Sequence, residues 1–171
     1  LKKKGMARIF RVSLICETLF ILAIPFFLRH FGIKRVMLIS MFAWVFRFGL
    51  FGLGDPGSGL WMLILSMIVY GMAFDFFNIS GSLFVELEAK PEIRASAQGL
   101  FFMMTNGLGA IIGGYASGAV VDAFSVYSDG MLISREWPDI WFIFAGYALV
   151  IGILFALVFR YKHQPEELSK K

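Results

Sequence analysis

The stretch IVYGMAFDFFNISG, residues 68–81, places a carboxylate, Asp75, in the middle of an apolar run. On a helical repeat Asp75 shares a face with Gly71, Asn78 and Ser82. Tyr70 and Phe74, four residues apart, form an aromatic stripe beside that face. A carboxylate and an amide can hold hydroxyl groups, and two rings offer faces to a planar solute, so this is the composition of a small-molecule site. Glu17 is a second acid inside an apolar run, with Ser13 one turn earlier and Thr18 beside it.

A charge at the centre of a membrane helix costs about 2.5–3.5 kcal/mol on insertion scales. Each acid therefore predicts water, a partner cation or a bound proton. Arg47 and Arg11 are the cations available for a purely structural pair. The functional reading is a carboxyl group that is neutral when dry and ionised when water reaches it, so that a proton becomes a co-substrate. No nucleophile–base pair and no set of metal ligands accompanies the two acids, which argues against an intramembrane enzyme. His30 and His163 lie in charged loops.

The elements that must position these groups are plain in the composition. Residues of the set AVILMFWYC make up 58% of the chain and charged residues only 16%, against roughly 25% charged in soluble domains. Five apolar runs, 9–28, 36–53, 60–85, 95–121 and 140–159, contain four of the 28 charged residues: Arg11, Glu17, Arg47 and Asp75. Their lengths suit helices that cross a bilayer, for which about 20 residues suffice, and no strand-like alternation appears. The expectation is an all-α membrane protein with five transmembrane helices. A basic leader or truncated loop over 1–8 precedes the bundle of 9–159, and a tail follows at 160–171.

Alternate loops carry very different charge. The loops at 29–35 and 86–94 and the tail hold nine Lys and Arg residues, while the opposite side holds five, four of them in the first eight residues. Basic loops face the cytoplasm, so 29–35, 86–94 and the C-terminus are expected there. The basic leader conflicts with that orientation, which suggests a piece of a longer chain. Membrane topology accounts for the net charge of +4 without nucleic acid. Cys16, alone of its kind, excludes an intrachain disulfide framework. In 95–121 the Gly109/Gly113 and Gly114/Gly118 pairs have the small-xxx-small spacing that lets a neighbouring helix approach. Trp137 and Trp141 are placed as interfacial anchors.

Four segments carry a family resemblance: ETLFILAIPFFLRHFGIKRVMLIS, AWVFRFGLFGLGDP, LSMIVYGMAFDFFNISGSLFVE and IRASAQGLFFMMTNGLGAIIGG. They closely resemble consecutive segments of bacterial nucleoside:proton symporters of the major facilitator superfamily, over nearly the whole chain. The resemblance implies helices eight to twelve of twelve, most of a C-terminal six-helix bundle, in a bacterial inner membrane. It implies proton-coupled nucleoside transport by alternating access, with the proton as coupling ion and no cofactor, and with an N-terminal half as partner. Asp75 and Glu17 become the proton-coupling candidates, and Glu17, Tyr70, Phe74, Asp75 and Asn78 the substrate-binding ones. Leu14 stands where the family pattern has a glutamine. The alternatives are a transporter of a sugar or drug, or a truncated, non-transporting membrane protein.

Overall fold

The computed structural model describes residues 2–128 and 131–161, with side chains from Thr18 onward. Helix α1 (Lys2–Leu53) is interrupted at Gly32, where φ is 76° and ψ 165°, a backbone region essentially confined to glycine. Unbroken, its 52 residues would extend about 78 Å, far beyond a hydrocarbon core of about 30 Å. The break leaves two lengths, and the expected spans 9–28 and 36–53 fall on either side of it. The helix already includes the residues read as a basic leader.

Both sides of the break feed one core. Ile24 and Leu28 before it, and Ile33, Val36 and Met37 after it, surround Phe76 of α2 (Leu60–Glu88), whose ring is wholly buried. One layer deeper the seam is built of small residues, Ala43 against Val69 and Ala73. There the Ser40 hydroxyl donates to the Ala73 carbonyl at 2.8 Å, so this buried donor is satisfied within the protein, as a lipid environment demands. The connection between α1 and α2 is capped by Asp55. Its carboxylate accepts from the Gly57 and Gly59 amides at 2.5 and 3.1 Å, which satisfies donors ahead of the first turn of α2.

Helix α3 (Arg94–Phe102) continues through a π-helical turn, Met103–Leu108, into α4 (Gly109–Ala123). Two features join α3 to α2. Gln98 donates to the Ser82 carbonyl at 2.7 Å and accepts from its hydroxyl at 3.0 Å. Gly81 lies so close to the Phe101 ring that an added Cβ would come within 2.5 Å of it. Beyond that clasp the run is loosely held, with no buried residue in any of its three segments. The small-residue spacing does not mark a packed seam here: a Cβ added at Gly113, Gly114 or Gly118 would meet no described atom within 4 Å. Gly109 instead relieves its own helix, since a Cβ there would sit 2.9 Å from the Met104 carbonyl of the wide turn.

The long connection before the last helix contains an antiparallel hairpin, β1 (Ser125–Ser128) and β2 (Met131–Arg135), so the expectation of an all-α chain is corrected in this one place. Val126, Tyr127, Leu132 and Ile133 are the strand formers responsible. Arg135 ties the base of the hairpin by donating to the Ser125 hydroxyl at 3.0 Å. Helix α5 (Trp137–Val158) packs on the second part of α1. Trp141 stacks on Phe51 and Phe48 at 4.7 and 6.0 Å, so it packs between helices, whereas Trp137 keeps nearly half of its surface exposed.

Among the described residues, four helical stretches are long and apolar enough to cross a membrane: Thr18–Leu53, Leu60–Glu88, Arg94–Ala123 and Trp137–Val158. The first contains the Gly32 break, which reconciles four stretches with five expected spans.

Candidate functional site

Helix α2 carries the candidate side chains because its opposite face is committed to packing. Val69, Ala73, Phe76 and Ser80 are buried, which turns Tyr70, Phe74 and Asn78 away from that core. Tyr70 and Phe74 lie one turn apart with ring centroids at 5.7 Å and planes at 24°, a stacked pair. Phe74 is exposed, Asp75 half-buried.

The Asn78 amide donates to the Phe74 carbonyl at 2.9 Å, which takes one of its two N–H donors and leaves the other N–H and the amide oxygen outside that bond. Asn78 also lines a cavity of about 430 Å³ with Ser82, Glu86 and Phe102. Tyr70, Phe74 and Asp75 are not in that lining. The side chain of Glu17 lies outside the described residues, although its position within α1 is described.

The residue that the sequence reading left out of the site is Arg47. Its guanidinium carbon stands 4.4 Å from the Tyr70 ring centroid, 5.1 Å from that of Trp44 and 5.3 Å from that of Phe51. Its Nε is buried with no hydrogen-bond partner among the described residues. The cation lies against ring faces, whose quadrupoles attract it. Trp44 also meets Tyr70 edge to face at 5.9 Å. A chain of contacts therefore runs from Trp44 and Arg47 of α1 to Tyr70 and on to Phe74. The signal was present in the spacing: Trp44 and Phe51 lie three before and four after Arg47, on one helical face.

Residues 2–164 match the sequence profile of the nucleoside H+ symporter family. The chain belongs to this family. Two curated relatives are from Escherichia coli strain K12. The chain is 56% identical to the xanthosine permease over 161 residues, 94% of this chain and 37% of that protein. It is 57% identical to the nucleoside permease NupG over 156 residues, 91% of this chain and 36% of that protein. A crystal structure of nucleoside transporter NupG superposes with a TM-score of 0.79 at 56% identity, covering 92% of this chain and 38% of that one. This family chain thus spans little more than a third of the length of such relatives, and its helices adopt the fold of part of a major facilitator superfamily bundle.

Proposed function

We propose that this symporter-family chain supplies most of one helical bundle of a proton-coupled nucleoside transporter of the bacterial cytoplasmic membrane. The remaining helices would supply the opposite wall, with the solute held near the midplane and access alternating between the two sides. The basic loops at 29–35 and 86–94 and the C-terminus then face the cytoplasm.

The observation that carries this reading is the stacked Tyr70–Phe74 pair beside Asp75, in the middle of a helix otherwise free of charge from Leu60 to Val85. A nucleobase is a flat aromatic that suits the exposed Phe74 face, and ribose hydroxyls suit carboxylate acceptors at Asp75 and Glu17 and the Asn78 amide. Asp75 and Glu17 are the proton-coupling groups. A carboxyl that exchanges its proton only where water reaches it, and crosses the dry state neutral, avoids moving a bare charge through hydrocarbon.

Radiolabelled nucleoside uptake by the whole transporter in energised vesicles tests the assignment. Asp75→Asn is expected to abolish accumulation above equilibrium and to flatten its dependence on external pH, while Glu17→Gln weakens nucleoside binding as well. Normal pH-dependent accumulation in both variants would overturn the coupling role. Displacement of a bound probe by sugars or lipophilic cations, and not by nucleosides, would assign a different solute.

A further inference from the structure

We propose that the turn at Gly32 and the end of α5 form a binding site for the phosphate headgroup of an anionic phospholipid. A cavity of about 500 Å³ opens there, lined by His30, Lys34 and Arg35 from the turn and by Ala156 and Tyr161 from the end of the last helix. Among the described residues, no carboxylate lines it.

Gly32 creates the site. Its left-handed φ lets the chain change direction within one residue, bringing His30 on one side of the break and Lys34 and Arg35 on the other to the same cavity. Lys34 fixes the far wall, because its ammonium donates to the Ala156 carbonyl at 3.0 Å across 122 residues of sequence. That bond occupies one of three ammonium donors and leaves two. His30 Nδ1 donates to the Phe26 carbonyl at 2.8 Å, so Nε2 is the nitrogen left for a ligand, and it donates to a phosphate oxygen in the imidazolium form. Arg35 is exposed and makes no ion pair among the described residues. Two cations and an imidazole, with no acid among the described lining residues, match the charge and the several acceptor oxygens of a phosphate group.

A second observation distinguishes a lipid from free phosphate. Leu38 also lines the cavity, and from it a stripe of exposed apolar side chains continues down α1 at four-residue spacing through Phe42 and Phe46, 45% and 52% exposed. The cavity sits where α1 breaks and α5 ends, the level at which a bilayer changes from headgroup to hydrocarbon. A phosphate bound among Lys34, Arg35 and His30 would leave its acyl chains along Leu38, Phe42 and Phe46. Basic pockets between membrane helices are recognised by anionic headgroups on these grounds.

The test is a titration of the purified whole transporter in detergent, following its melting temperature. The added ligands are dioleoyl phosphatidylglycerol, dioleoyl phosphatidylcholine and inorganic phosphate in separate arms. Phosphatidylglycerol is expected to raise the melting temperature saturably, with half-saturation roughly tenfold below that of phosphatidylcholine. The double substitution His30→Gln, Arg35→Gln should raise the phosphatidylglycerol midpoint about tenfold, while Arg35→Lys retains most of the effect. Lys34 is left intact because it also ties α1 to α5. Equal midpoints for the two lipids, or an unchanged midpoint in the double variant, would overturn the site. Saturation by inorganic phosphate that blocks the phosphatidylglycerol effect would overturn the lipid assignment. Nucleoside uptake plays no part in this readout, so its outcome is separate from that of the transport reading.

Discussion

Helix α2 and the run from Arg94 to Ala123 both carry glycine, serine and phenylalanine, and they sit in opposite surroundings. Around α2 the small residues are consumed by contact: Ala73 and Ser80 are wholly buried, Gly81 meets the Phe101 ring, and Ser82 exchanges two hydrogen bonds with Gln98. In α4 the same residue types face open space, and Tyr115 is 81% exposed. Small residues permit a close approach and do not by themselves cause one. The neighbour has to bring complementary side chains, as α1 does for α2 with Ser40 and Ala43.

The widest separation between the two regions should appear at their aromatic residues. Phe76 fills the centre of the main core with no exposed surface, so Phe76→Ala leaves a cavity that its neighbours from both sides of the Gly32 break cannot close. A loss of about 3–5 kcal/mol is expected. Tyr115→Ala should change stability by less than about 0.5 kcal/mol. Reversible unfolding of the whole transporter in micelles measures both. A large loss at Tyr115 would show that another part of the transporter covers α4.

Glycine replacements sharpen the same contrast. Gly81→Val must displace the Phe101 ring and strain the clasp between α2 and α3, for about 1–3 kcal/mol. At Gly113 an added Cβ meets no described atom within 4 Å, so Gly113→Val should be close to neutral in the same unfolding experiment. Equal losses at the two glycines would erase the distinction between a used and an unused small-residue face.

What the sequence could and could not convey follows this division. The spans were legible because bilayer thickness and backbone satisfaction impose length and apolarity on every crossing. The observed limits of α2, of Arg94–Ala123 and of α5 lie within three residues of those expected, 60–85, 95–121 and 140–159. Two of the connections were legible only as breaks. A single residue, Gly32, makes the first turn, which no composition argument isolates from a basic loop. The hairpin at 125–135 is short, and its strands alternate too briefly for a period to emerge. At the candidate site, the four-residue spacing of Tyr70 and Phe74 on one helix indicated that their rings could stack. The role of Arg47 was hidden because its partners come from two helices, and its charge drew attention to carboxylates when its nearest groups are rings.

Arg47 provides a subtler comparison, between packing that holds the fold and packing that holds a side chain in place. Its guanidinium lies against Trp44, Phe51 and Tyr70. Arg47→Met keeps much of the volume and removes a half-buried cation whose Nε has no hydrogen-bond partner among the described residues, so stability should be unchanged or slightly higher. Tyr70, however, loses the contact that fixes its ring, which we expect to raise the uptake KM about fivefold, or ~1 kcal/mol. The maximal rate should change little, and Arg47→Lys should recover part of the affinity. A fall in stability with KM unchanged would make Arg47 a structural cation only.

A small but measurable loss belongs to the hydrogen bond at the packed seam. Ser40 donates to a carbonyl of α2 that is already engaged in its own helix, so Ser40→Ala strands no buried donor and fits the same space. Bonds of this kind between membrane helices are worth about 0.6 kcal/mol on average. The expected loss on unfolding is of that size, well below that of Phe76→Ala three residues along the neighbouring helix from Ala73. A loss several times larger would mean that the seam of Ala43, Val69 and Ala73 closes only when the hydroxyl is present. Specific hydrogen bonding, more than the absence of bulk, would then separate α2 from the open face of α4.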